Sequence, residues 1–124
     1  MLRVKIMLTI AASLSLAWPC KARTMSMQGA SAKVSNTSHY VGDDRWSWTV
    51  FVVAPRSVLN QIQCVEYTLH PTFPNPIRRV CVRGKDSQAF ALSSNGWGEF
   101  TIGVRIFYQD GTKQTLSYPL KLSE

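Results

Sequence analysis

The chain has 124 residues, with 14 Lys and Arg against 7 Asp and Glu and a formal net charge of +7. Hydrophobic residues make up 45% and aromatic residues 10%, enough for one core, while the length excludes a Rossmann domain, a TIM barrel or any two-domain enzyme. Setting aside Arg3, Lys5 and Lys21 of the first segment leaves 11 basic residues against 7 acidic ones, a balance of +4. That is ordinary solubility charge, not a nucleic-acid footprint.

The first 22 residues have the parts of a secretory signal. Arg3 and Lys5 precede an apolar run from Ile6 to Trp18, broken only by Thr9, Ser13 and Ser15. Thirteen helical residues span about 20 Å, short of the hydrocarbon core of about 30 Å, so a permanent membrane span is the weaker reading. Small residues at Cys20 and Ala22 place cleavage after Ala22, which makes the product exported, either periplasmic or secreted. The rival is lipidation at Cys20, disfavoured by Trp18 and Pro19 where lipoprotein signals use small residues. The membrane enters only through that lipidation or through an uncleaved signal.

Residues 23–42 are rich in Ser, Ala, Met and Thr at first and show no period up to Ser38, which reads as a flexible arm. The domain is expected over residues 43–124. Trp46, Trp48, Val50 and Val52 share one face of a strand whose end is apolar on both faces, the pattern of a central strand. Alternating runs follow at Ile62 to Leu69 and Ile77 to Val82, with a short strand at Gln88 to Leu92. Phe100 to Tyr108 and Leu116 to Leu122 flank Gln109-Asp110-Gly111-Thr112, a tight hairpin turn in which Asp-Gly meets the need for positive φ. Pro119 lacks a backbone donor and places the last strand at an edge or in irregular pairing. No segment after residue 22 has helical spacing. About seven or eight short strands in about 100 residues predict an all-β fold, an antiparallel β-sandwich.

Cys64 and Cys81 lie on either side of the turn from Pro71 to Pro76. If the flanking runs pair about it, Val65, Tyr67, Leu69, Val80 and Val82 face inward. The two cysteines then meet on the outer face, close enough for a disulfide. A slip of one residue separates them and leaves two thiols, and the sequence keeps both outcomes open. A metal site is not expected, since the pair lacks CxxC spacing and two more ligands.

Catalytic chemistry is not expected either. No G-x-S-x-G, H-E-x-x-H or phosphate-cradling glycine loop occurs. Asp43 and Asp44 are adjacent and read as a solvated turn with too few oxygen ligands for calcium, and the other carboxylates are scattered. Cys64 and His70 lie about 20 Å apart along one strand, too far for a nucleophile and its base. No cofactor is implied.

Two loops stand out. Leu69-His70-Pro71-Thr72-Phe73-Pro74-Asn75-Pro76 carries three prolines, which fix φ and present His70, Thr72 and Phe73 rigidly. Ser94-Asn95-Gly96-Trp97-Gly98-Glu99-Phe100 sets a tryptophan between two glycines that free the backbone and permit close approach by a ligand. The bland alternative is a strand-end histidine, an ST-turn at Thr72, and Phe73 and Trp97 as caps on the core.

In this order and spacing the motifs resemble the YEATS domain. The resemblance covers about residues 46–122: Trp48-Thr49-Val50-Phe51-Val52 on the strand, Leu69 to Phe73, and Gly96 to Phe100. The LHPTFPNP and GWGEF forms are most similar to the prokaryotic branch, pYEATS. The resemblance implies an immunoglobulin-like sandwich. Eukaryotic YEATS domains read acylated lysine on histones, with the acyl amide stacked between aromatic rings of these two loops. Carried over by position, Phe73 and Trp97 are the walls, and the Thr72 hydroxyl, supported by His70, bonds the acyl amide. The Trp97 backbone N–H, between Gly96 and Gly98, bonds the acyl oxygen. Where eukaryotic readers carry an aromatic residue four positions before the strand tryptophan, this chain has Asp44, with Tyr40 as a candidate substitute. The implied function is a non-catalytic exported module that binds an acylated amine or a protein segment. The alternative is an interaction domain without a small-ligand pocket, pairing a partner at a sheet edge.

Overall fold

The computed structural model describes residues 32–124, so the expected signal and the first part of the arm lie outside the described residues. Seven strands form two antiparallel sheets: β1 (Lys33–Gly42), β2 (Arg45–Val53), β3 (Ile62–Thr68), β4 (Ile77–Val80), β5 (Ala89–Gly96), β6 (Thr101–Tyr108) and β7 (Lys113–Pro119). One sheet has the order β1-β2-β5 and the other β4-β3-β6-β7. Each inner face supplies alternate residues to one core: Trp48, Val50 and Val52 from β2, and Val65, Tyr67, Ile102, Val104 and Ile106 from β3 and β6. This is the expected antiparallel β-sandwich. β2 is central and β7, which carries Pro119, is an edge.

The main departure is at the start. Residues 33–42, read as part of a flexible arm, form β1 and pair with β2 from Lys33–Val53 to Gly42–Arg45. Asp43 and Asp44 are the two loop residues, with φ of 54° and 59°, so both central positions are left-handed as a type I′ hairpin requires. The outer edge of β1 is covered by the last residues of the chain. Asn36 bonds the backbone of Lys121, Ser38 that of Ser123, and the Tyr40 N–H donates to the Glu124 carboxylate. Asn36 and Ser38 thereby hold the C-terminal segment along this edge with their side chains, and Tyr40 contributes a main-chain donor of the edge itself. His39, expected in the arm, lies on β1 and contacts Glu124.

Other boundaries shift. A single helical turn, α1 (Arg56–Leu59), follows Pro55, buries Val58 and Leu59, and carries the chain between sheets. β4 stops at Val80, so Val82, expected to face inward, is 77% exposed. β5 starts after a 3-10 turn at Asp86–Gln88 and runs on to Gly96, longer than the short strand expected. Cys64 and Cys81 are joined by a disulfide, next to the Val65–Val80 pair of the β3–β4 ladder. Cys64 is buried but stands apart from the core cluster, consistent with its outward parity.

The β6–β7 hairpin turns as the sequence predicts. The Gly111 N–H donates to the Tyr108 carbonyl, Gly111 has φ of 91°, and Asp110 accepts from the Thr112 N–H and hydroxyl. Hydrogen bonding to Thr112 holds the Asp110 carboxyl below its ordinary range.

Candidate functional site

Both singled-out loops lie at one end of the sandwich. The first follows β3 from Leu69, whose N–H donates to the Pro76 carbonyl at 2.7 Å and closes the loop at its neck. Within it the Phe73 N–H donates to the His70 carbonyl at 3.0 Å. Arg78 on β4 locks the far side, donating to the carbonyls of Asn75 at 2.8 Å and Pro74 at 2.9 Å.

The His70 ring organises Thr72. The Thr72 backbone N–H donates to His70 Nδ1 at 3.2 Å, and Thr72 Oγ1 lies 2.9 Å from the same nitrogen. A backbone amide can only donate, so Nδ1 is an acceptor and the ring proton sits on Nε2. The Thr72 hydroxyl must then donate to Nδ1. Its lone pairs are left to accept from an outside N–H.

The second loop joins β5 to β6. Phe100 at its end packs against Phe73 with ring centroids 5.3 Å apart, and lies edge-on to His70 and Trp48 at 6.1 Å from each. Trp48 also meets Phe73 edge-on at 6.2 Å, and its buried indole N–H has no hydrogen-bond partner. The aromatic floor is thus continuous with the core. The Leu120 N–H donates to the Phe100 carbonyl and the Leu122 N–H to the Glu99 carboxylate, so the C-terminal segment braces this loop as well.

Between the loops is a cleft of about 480 Å³, open to solvent, lined by His70, Thr72, Phe73 and Pro74 on one side and residues 94–100 on the other. Thus His70, Thr72, Phe73, Gly96, Trp97 and Gly98 all line one space. The rings differ in character. Phe73 is half-buried and packs on the core, so it is both wall and cap, whereas Trp97 is 71% exposed and caps nothing. The glycines also act differently from expectation, since neither Gly96 nor Gly98 has positive φ. At Gly96 a Cβ would sit 3.6 Å from Phe73 Cζ, in ordinary van der Waals contact, so neither φ nor clash demands glycine there.

Tyr40 does not stand in for the missing aromatic wall. It packs edge-on against Trp46, 5.3 Å between centroids, and its hydroxyl accepts the Asp44 N–H at 3.0 Å. Sequence reasoning missed Arg45 and Arg78, which also line the cleft. The Arg45 guanidinium lies over the Trp97 ring at 5.4 Å and donates to Asn95 Oδ1 at 3.0 Å. Arg45 is the first residue of β2, and only the pairing of β2 with β5 reveals that it reaches Trp97. Among the described residues no group of three or more His, Cys, Asp or Glu could hold a metal ion.

Comparison with known proteins agrees with this architecture. The profile of the prokaryotic YEATS domain, pYEATS, matches residues 46–121, more than half of the chain. The chain belongs to the prokaryotic YEATS domain family. Among curated proteins, the AF-9 homolog of Kluyveromyces lactis is 35% identical over 71 residues, covering 56% of this chain and 30% of that protein. The chain therefore spans less than a third of that relative's length. Among solved structures, yeast AF-9 homolog protein Yaf9 is 25% identical with a TM-score of 0.62, covering 74% of this chain and 70% of that one. The Yaf9 YEATS domain recognising an H3K122suc peptide is 25% identical with a TM-score of 0.59, covering 74% of each.

Proposed function

We propose that this pYEATS domain is a non-catalytic, exported binding module that takes an acylated amine, such as an acyl-lysine side chain, into the cleft between its two aromatic loops. The observation that carries the reading is the Thr72 hydroxyl. Its proton is committed to His70 Nδ1 and its lone pairs are free, beside the half-buried Phe73 and the exposed Trp97. An amide N–H suits that acceptor, and a flat neutral amide suits aromatic faces. An unmodified lysine brings a charge that the apolar floor penalises. The relative in complex with an H3K122suc peptide supports an acylated ligand for the fold.

Catalysis finds no support. Cys64 is tied up in the disulfide, and His70 has no carboxylate partner among the described residues to complete an acid–base relay. Export rests on the sequence of residues 1–22, and the disulfide fits an oxidising compartment.

The test is an NMR titration of the whole chain with acetyl-, crotonyl- and unmodified-lysine peptides, following the Trp97 indole and backbone signals. Selective shifts with the acylated peptides are expected. No shift at millimolar concentration would retire the acyl-amide reading and leave the loops as a general protein-binding surface. For export, the mass of the product recovered outside the cytoplasm should correspond to a chain beginning at Arg23. A diacylated product beginning at Cys20 would instead place the domain on a membrane.

A further inference from the structure

The cleft carries two guanidinium charges that no carboxylate among the described residues pairs with. Arg45 stands on the wall formed by the Trp97 loop and Arg78 on the wall formed by the proline loop. A guanidinium has five N–H donors. Arg45 spends one on the Asn95 side-chain carbonyl, and Arg78 spends two on main-chain carbonyls of its own loop. All of these acceptors are neutral, as is the Trp97 ring beneath the Arg45 guanidinium. Among the described residues neither arginine is paired with a carboxylate; the ion pairs there join His39–Glu124, Arg56–Asp86, Arg83–Asp86, and Glu66 with Arg79 and Arg105. Glu99 is the negative group lining the cleft, and one of its oxygens already accepts the Leu122 N–H. The arginines are therefore held in position without being neutralised.

From this we infer that the ligand of the cleft is anionic: an acyl amide with a carboxylate close by, on the acyl group itself or on a residue flanking the acylated lysine. Guanidinium donors in a fixed fork match a carboxylate, often with two parallel hydrogen bonds. One guanidinium on each wall allows the anion to lie at either side of the aromatic slot. A basic flanking sequence is repelled by the same pair.

The inference rests on the acyl-amide reading, and one calorimetric series on the whole chain separates the two. Four peptides share an otherwise uncharged sequence: acetyl-lysine, succinyl-lysine, acetyl-lysine flanked by two aspartates, and unmodified lysine flanked by two aspartates. At least one anionic acylated peptide should bind about three- to tenfold more tightly than the neutral acetyl-lysine peptide, an advantage that shrinks at high salt. Which one gains identifies the source of the carboxylate. The ratio of anionic to neutral affinity should fall to near one in R45Q/R78Q. It should persist in part in R45K/R78K, which loses the same guanidinium bonds to the loops as the glutamine variant but retains the charge, so the comparison separates charge from loop disruption. Equal binding of all acylated peptides overturns the anion inference and leaves the slot intact. Equal binding of the acylated and unacylated acidic peptides overturns the acyl reading instead.

Discussion

His70 Nδ1 and Thr72 Oγ1 lie 2.9 Å apart on a loop whose neck is closed by the Leu69 to Pro76 hydrogen bond. Because the Thr72 amide also points at Nδ1, the imidazole acts as a fixed acceptor and decides which way the hydroxyl hydrogen turns. The imidazole thus orients the Thr72 hydroxyl and need not itself touch a ligand.

Thr72→Val removes the acceptor and keeps the side-chain shape. Thr72 is exposed, so stability should change by no more than about 0.5 kcal/mol. Affinity for an acylated peptide should fall about tenfold, the scale of one well-placed hydrogen bond. Thr72→Ser should restore much of it. Equal binding by wild type and the Val variant, measured by calorimetry, would remove the hydroxyl from the mechanism.

Trp97→Ala separates wall from cap. A core tryptophan costs about 3–5 kcal/mol when truncated, but this ring is 71% exposed. Urea denaturation should therefore shift by less than about 1 kcal/mol, while ligand-induced NMR shifts disappear. A loss of several kcal/mol would make Trp97 structural and weaken the case for a pocket.

The sequence shows why most of this was readable and some was not. Alternation at Trp46 to Val52 and at Thr101 to Tyr108 gives both inner faces, because apolar residues at period two can bury only one way. β1 was hidden for a physical reason. Its alternate residues Asn36, Ser38 and Tyr40 pair with the chain's last residues rather than with the core, and its turn uses Asp-Asp, a weaker signal than Asn-Gly. At the cleft, local motifs marked His70 to Phe73 and Gly96 to Gly98. Arg45 and Arg78 escaped notice because their roles depend on which strands become neighbours.

Tyr67 should govern alkaline stability. It is fully buried, its hydroxyl donates to the Phe90 carbonyl at 2.7 Å, and Phe90 is a non-glycine residue at φ 51°. Burial pushes the phenol above its ordinary range. A raised folded pKa means that the stabilisation is complete below the unfolded value of about 10 and is lost as pH climbs past it. Stability measured against pH should thus decline from about pH 10 upward. Tyr67→Phe should flatten that decline and cost about 1–2 kcal/mol at neutral pH by stranding the Phe90 carbonyl.

The Cys64–Cys81 disulfide closes a loop of sequence separation 17 that contains the whole proline loop. Reduction, or the double change to alanine, should lower stability by about 2–4 kcal/mol in urea titrations. Thiol counting on the oxidised protein should find neither cysteine reactive. Two titratable thiols, or an unchanged urea midpoint after reduction, would contradict the cross-link.

Gly96 offers a graded test of the slot's width. A methyl at this position meets Phe73 Cζ at 3.6 Å, which is ordinary van der Waals contact, and the backbone φ is not positive. Gly96→Ala should therefore fold normally and bind nearly as wild type. Valine adds two more carbons beside the same ring. Phe73 already packs 5.3 Å from Phe100 and 6.2 Å from Trp48, so it has little room to withdraw into the core. The valine methyls must instead narrow the slot or tilt the ring, and affinity for an acylated peptide should drop about tenfold or more while the β-sheet NMR signals persist. If valine binds as alanine does, the acyl group does not lie against the Gly96 side of the Phe73 ring.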